Sequence, residues 1–347
     1  MKLLILIGKD VHNYRILRGM AMANPEFEIF VSDISDTHES PDFSNASFSV
    51  WNMFPTDYKG KHFDLVLVDP TYSKDCRGDF TYDRLGFFDT EDAPDHVATG
   101  PAYELFKDDA IFYAKMDYPL LPRKDGIKYI GFPIEPYMGL VQVANAELPE
   151  FTHMNAIPFF HGSPTFLGRG GYYKDPEISG DIYFANDVPD GYIYNQRFQW
   201  LQSLQNNNIP YEGGIVFMEA ECLSLEFQTK HFGNVGKFAR NYIDRNTFFN
   251  MAATNRIGLN PAGNNRNSWR IYDLMAIGSI IVTGRYDMKS MYSPKQFITI
   301  EDDDDLGSVL REAQPDYKEM AKASKENRKV LADLTPDKVW NDFLGQM

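Results

Sequence analysis

A chain of 347 residues exceeds what one hydrophobic core comfortably fills, so about two domains are expected. With 43% hydrophobic and 24% charged residues it is not a disordered chain. Its 49 acidic against 34 basic side chains leave a net charge of −15, which argues against a general nucleic-acid-coating role because affinity for phosphates rests on Lys and Arg. Cys76 and Cys222 lie far apart and have no metal-ligand neighbours in sequence, a pattern expected of a reducing, cytoplasmic setting. No apolar run nears the roughly 18–20 residues that cross a bilayer. The run from Leu3 to Ile7 leads into Lys9-Asp10 with no cleavage-like segment and is expected to be a strand rather than a signal peptide.

In chain order, residues 2–7 form a continuous apolar run, the mark of a strand buried on both faces, and Gly8 ends it. Val11, Tyr14, Leu17 and Met20 then recur at helical spacing over 11–23. Strands are expected at 27–32, 63–68, 110–116 and 128–131, so the first half reads as an open parallel sheet covered by helices. The Asp-, Gly- and Thr-rich stretch 71–108 is expected to be a long, mobile loop facing the acceptor. The Pro- and Gly-rich stretch 150–178 is expected to be the domain junction. A second alternation follows, with strands at 181–185, 214–218, 256–260, 279–283 and 297–300. Helices are expected at 193–206, 246–254, 268–277, 306–313, 316–332 and 336–345. The last of these opens on Thr335-Pro336, a good N-cap and first-turn pair. The simplest architecture is α/β, with two doubly wound domains facing a central cleft, and ligands at the carboxyl ends of the strands.

The segment 256–284 carries the clearest chemistry. A strand ends in a Pro/Gly/Asn loop, a helix opens near Asn267-Ser268, and Arg270 and Asp273 lie three residues apart on one face of it. The loop and first helical turn offer free N–H groups and a positive dipole end to an anion. Arg270 adds a planar fork suited to phosphate oxygens, and Asp273 could accept hydrogen bonds from the vicinal hydroxyls of a ribose. Charge supports this independently. Between residues 228 and 289 nine basic residues face three acidic ones, a basic island in an acidic protein.

These residues resemble the donor-binding element of nucleotide-sugar glycosyltransferases of the GT-B fold, which have two Rossmann-like domains. The Arg270/Asp273 element resembles that of exostosin-type transferases, and the chain as a whole is similar to the DNA β-glucosyltransferases of T-even bacteriophages. The resemblance implies an N-terminal acceptor-side domain over 1–165, a donor domain over 175–333, and a terminal helix, 334–347, returning to the first domain. Residues 110–121 resemble the strand and acidic turn carrying the catalytic base, which falls on Asp117. Residues 181–197 resemble the phosphate loop, with Gly8 at the end of the first strand and Arg197 as further donor-binding positions. Residues 234–251 resemble the segment beside the nucleotide base and place Lys237 and Phe238 there. Val188-Pro189 stand where the family has another arginine, so one phosphate contact is absent or supplied elsewhere.

The implied activity is transfer of a sugar, by a hexosyl- or pentosyltransferase, from a nucleotide-diphosphate donor, a UDP-sugar, to an acceptor hydroxyl. Asp117 would take the acceptor's proton in an inverting displacement, and no metal is indicated. The acceptor would be a hydroxymethylated base in phage DNA, with the enzyme in the host cytoplasm and neither membrane nor protein partners. An exostosin-like transferase acting on a saccharide is the alternative, as is a two-lobed protein that binds a small ligand without chemistry. A dehydrogenase ranks low because no G-x-G-x-x-G follows the first strand. Plainer readings stand beside each site. Arg270 could pair with Asp273 on a solvated helix face. Asp117 could cap a turn, and so could Asp69, the second candidate for a catalytic carboxylate. Arg197 could lie on a solvated face. The run from Glu301 to Asp305 reads as a capped helix start rather than a metal site. His153 and His161, eight residues apart, make no metal signature.

Overall fold

The computed structural model describes residues 1–7, 26–32, 57–89, 101–115, 117–119, 125–132, 137–147, 157–162, 196–216, 238–241, 243–261, 269–284, 288–301 and 304–347. The expected helix 11–23 and strand 181–185 lie outside them, as do Gly8 and Lys237. The chain divides into two compact units. Unit 1 comprises Met1–Met138, Met288–Ser293 and Leu334–Met347, and unit 2 comprises Gly139–Asp287 and Pro294–Asp333.

Unit 1 is built on a six-stranded parallel sheet. Its strands are β1 (Lys2–Leu6), β2 (Glu28–Val31), β4 (Leu65–Val68), β6 (Leu85–Asp89), β7 (Phe112–Lys115) and β9 (Lys128–Gly131). They lie in the order β2-β1-β4-β6-β7-β9. The expected strand 63–68 is broken at Asp64, whose carboxylate accepts the backbone N–H of Lys2 at 2.7 Å. The part before the break is β3 (Lys61–Phe63), which pairs with β5 (Phe80–Tyr82) in a separate parallel pair. The stretch 71–108 is therefore no single long loop. It holds β5, β6 and α1 (Pro101–Phe106), and β6 is in the middle of the sheet because Leu85, Phe87 and Phe88 are all buried.

Alternation along β1 shows how the sheet is covered. Leu3, Ile5 and Ile7 face one core together with Trp340 and Phe343 of the last helix, α8 (Pro336–Leu344). Leu4 and Leu6 face the other, with Tyr72, Tyr103 and Phe106. A two-stranded antiparallel ribbon pairs β8 (Asp117–Pro119) with β15 (Met288–Ser290) and completes this unit. The helix α2 (Tyr137–Asn145) spans the change from one unit to the next.

Unit 2 holds a second six-stranded parallel sheet. It comprises β10 (Ile157–Gly162), β11 (Glu212–Val216), β12 (Ala239–Arg240), β13 (Arg256–Asn260), β14 (Ile280–Gly284) and β16 (Ile298–Ile300), in the order β12-β11-β10-β13-β14-β16. The boundary expected at 150–178 thus moves: β10 belongs to the second sheet, and the chain enters unit 2 at Gly139. The helices α3 (Gln196–Asn206) and α6 (Leu306–Ala313) cover one face through Trp200, Leu204, Leu306 and Leu310. The helix α4 (Arg245–Asn255) lies on β10, where Phe248 meets Phe159 edge-on at 5.4 Å. Next to it α5 (Trp269–Ile277) packs on β13, and α7 (Tyr317–Ala332) packs on α5 and β14.

Gly258 lets α5 sit close. A Cβ there would fall 2.2 Å from Leu274 Cδ2. Gly278, at φ +74°, closes the same helix in the left-handed region that glycine enters without strain. Asp305 caps α6 by accepting Ser308 N–H at 3.0 Å, and Asp304 accepts Glu301 N–H at 2.8 Å, so these acidic residues of the run serve as helix-start chemistry. Gly258→Ala must displace Leu274 and with it α5. It is expected to destabilise the protein by about 1–3 kcal/mol, read as a lower urea midpoint. An unchanged midpoint would show that α5 is not held by this contact.

Candidate functional site

The order of the second sheet locates a crevice. From β10 the chain adds β11 and β12 on one side; it then crosses back and adds β13, β14 and β16 on the other. Connections that leave in opposite directions part at the carboxyl ends of β10 and β13, the place where open α/β sheets bind ligands. Three of the side chains described there are charged: Arg270 and Asp273 from α5, and Arg245 from α4.

The guanidinium of Arg270, in the first turn of α5, donates from Nη2 to the carbonyl of His161 on β10 at 3.1 Å. Burial pulls its pKa down to about 10 while the charge of Asp273 opposes the shift, so it stays a cation at neutral pH. Asp273 lies three residues along α5 and accepts at Oδ1 from Arg245 Nη2, also at 3.1 Å. Arg270 and Asp273 thus take separate hydrogen-bond partners and act on each other through space. Burial raises the Asp273 carboxyl to about 6, with Arg245 and Arg270 pulling the other way. His161 is half-buried. Its ring nitrogen Nε2 lies 3.0 Å from the carbonyl of Asn241, which can only accept, so Nε2 carries the hydrogen. Burial lowers the His161 pKa, the hydrogen bond to Asn241 raises it, and Arg270 adds to the lowering. Below this layer Asn260 and Thr283, both buried, bond to each other at 3.2 Å and fix the ends of β13 and β14.

The other expected site residues fall elsewhere. Arg197 is the second residue of α3 and is buried rather than on a solvated face. Phe238, expected beside a nucleotide base, is fully buried in the core of unit 2. Asp117 opens β8, with its backbone opposite Ser290. Asp69 ends buried beyond β4, where Oδ1 accepts both the N–H and the hydroxyl of Thr71 at 2.8 and 2.7 Å, a turn-capping role. In unit 1 the carboxyl ends of β6 and β7 hold a buried pair, Lys115 Nζ to Asp89 Oδ2 at 2.7 Å, with Tyr113 donating to the same oxygen at 2.8 Å. Cys76 is buried, and its thiol is pushed up to about 11 by that burial, far from a reactive thiolate. Among the described residues no three His, Cys, Asp or Glu side chains are placed to hold a metal ion, and no helix is long and apolar enough to cross a membrane.

Sequence reasoning missed Arg245 and His161 as partners of the cluster. Arg245 was one of nine cations in a basic stretch, and only the packing of α4 beside α5 singles it out. The one sequence signal was its place directly after Asp244, which caps α4.

No protein-family profile matches the chain, and no curated protein sequence matches it. Solved structures do. The apo structure of OtsA aligns with a TM-score of 0.56 at 11% identity, over 100% of this chain and 99% of that one. A trehalose-6-phosphate synthase studied with bisubstrate glycomimetics aligns at 0.53 and 10% identity, over 100% and 98%. HepE of Anabaena in complex with UDP aligns at 0.50 and 10% identity, over 100% and 99%.

The chain has the GT-B fold. The two parallel six-stranded sheets are its Rossmann-like units. These likenesses do not show the narrower resemblance to phage DNA β-glucosyltransferases or exostosins.

The raised Asp273 carboxyl has a consequence for stability. A carboxyl held near 6 in the folded chain, against an ordinary 3.8, binds its proton more tightly folded than unfolded. The stability it contributes is complete below about pH 4 and is lost as pH rises through 6. Denaturation midpoints measured from pH 4 to 7 should therefore fall in the wild type relative to Asp273→Asn. Parallel profiles for the two proteins would mean that Asp273 titrates normally.

Proposed function

We propose that this protein is a glycosyltransferase that takes a UDP-sugar as donor and binds its nucleotide at the carboxyl ends of β10 and β13. The observation that carries the reading is the placement of Arg270, Asp273 and Arg245 together at that crevice of a GT-B fold. The binding of UDP by the HepE neighbour supports the choice of donor.

In this reading Arg270 meets the diphosphate and neutralises the charge that develops as the bond to the anomeric carbon breaks. Its link to the His161 carbonyl aims the guanidinium before the ligand arrives, so little reorganisation remains for the transition state. Asp273 accepts from the ribose hydroxyls, and Arg197, Gly8 and Lys237 are retained as further donor contacts. Phe238, in the core of unit 2, takes no part in this reading. Asp117 takes the proton of the acceptor hydroxyl as its oxygen attacks the anomeric carbon and UDP departs with the bonding pair. A single displacement of this kind inverts the anomeric centre. The trehalose-6-phosphate synthase neighbour is described as transferring with retention, so the configuration of the product decides whether Asp117 acts as the base.

For the acceptor, the net charge of −15 favours a saccharide or other small hydroxyl compound over duplex DNA, whose binding depends on cationic side chains. Hydroxymethylated DNA is the second acceptor to assay. Sugar transferred to it in a reaction that weakens steeply with salt would overturn the preference.

The experiment is a melting-temperature screen with UDP and UDP-sugars, followed by transfer assays on the variants. A ligand present at a hundred times its Kd adds about 2.7 kcal/mol to the native state, a shift that is easily read. Arg270→Ala should weaken UDP about 10- to 100-fold. Asp117→Asn should keep UDP affinity within about twofold and abolish transfer. No stabilisation by any UDP compound would refute the donor assignment, and normal turnover in Asp117→Asn would remove Asp117 from its role.

A further inference from the structure

Arg245 is placed differently from Arg270. It is the first residue of α4, its side chain is 53% exposed, and it lies over the Phe249 ring at 5.2 Å while holding Asp273 Oδ1 at 3.1 Å. Asp273 is more enclosed, at 24% exposed, and the charge of Arg270 also acts on it. The neighbouring acid, Asp244, does not compete for Arg245. Its carboxylate accepts the N–H groups of Asn246 and Thr247 at 2.9 and 3.1 Å, together with the Thr247 hydroxyl. These bonds also spend the N–H groups of Asn246 and Thr247, two of the free donors in the first turn of α4.

This arrangement has a consequence for a nucleoside diphosphate. A diphosphate carries more negative charge than one arginine neutralises, and the carboxylate suited to a ribose is already occupied by Arg245. Arg245 is the exposed end of the pair, so its guanidinium regains water as it leaves, while Asp273 keeps the favourable charge of Arg270. A phosphate group offers the same planar fork a better acceptor, with two oxygens at matching spacing. We infer that Arg245 is a further diphosphate-binding cation beside Arg270, one that reaches the phosphates by leaving Asp273, so that phosphate and ribose are recognised together. The stack on Phe249 gives the guanidinium a fixed platform to pivot on. The phosphates capture Arg245, the freed Asp273 turns to the ribose hydroxyls, and each event favours the other. A nucleoside monophosphate or nucleoside gains less from the exchange, so the device selects diphosphates. The inference rests on the UDP-sugar reading of this site.

The test is calorimetric titration of UDP, UMP and uridine into the wild type, R245Q, R245K and D273N, with a melting temperature for each variant. Wild type should bind UDP about tenfold or more tighter than UMP. R245Q should bring that ratio to within about threefold while uridine binds as well as before or better, because Asp273 is then unoccupied. R245K should keep part of the ratio. D273N should give the opposite pattern, with uridine weakened and the UDP-to-UMP ratio preserved, and this holds the inference to account even if R245Q folds poorly. An unchanged UDP-to-UMP ratio in R245Q, or equal weakening of all three ligands, would overturn the exchange while leaving UDP binding intact. Failure of the wild type to bind any of the three would instead bring down the donor assignment, and this inference with it.

Discussion

Asp273 is bonded by the guanidinium of Arg245 and feels the charge of a second, Arg270. Burial alone would leave this carboxyl protonated, and the cations pull it back toward ionisation, with the balance near pH 6. Arg270 lives under the mirror constraint: it loses hydration, recovers a carbonyl and a nearby negative charge, and remains a cation. The proposed donor site rests on this cluster: phosphate oxygens would meet its cations and ribose hydroxyls its carboxylate.

The fold makes this possible by separating support from chemistry. Parallel strands buried on both faces set the sheet, and their alternation sends one row of side chains to each covering layer. In unit 2 the helices α4 and α5 start at the carboxyl side, so the first turns with Arg245 and Arg270 and the second turn of α5 with Asp273 come together. Gly258 brings α5 within reach of β13, and the edge-on contact of Phe248 with Phe159 seats α4 on β10. The strand order reverses between β10 and β13, the position at which open α/β sheets bind their ligands.

Much of this was legible before any coordinates. The runs at 2–7, 256–260 and 279–283 announce buried strands because nothing polar interrupts them, and Gly278 marks its helix end. Arg270 and Asp273 could be paired because both lie on one short helix. Other features depend on partners remote in sequence. The strand β6 was hidden by the Asp and Gly residues around it, although Leu85, Phe87 and Phe88 are buried. The strand β10 was hidden by Pro158, which sits within it. Arg245 joins the cluster across 28 residues of chain, a distance over which composition carries no information. Phe238 was placed beside a base by the resemblance of residues 234–251, and packing puts its ring in the core of unit 2.

The most direct measurement of the central claim is a crystal structure of the protein with UDP. The account predicts diphosphate oxygens within about 3.2 Å of the Arg270 guanidinium, ribose hydroxyls against Asp273, and both groups at the carboxyl ends of β10 and β13. UDP bound elsewhere on the chain, or bound at that edge with its phosphates out of reach of the Arg270 guanidinium, would contradict it.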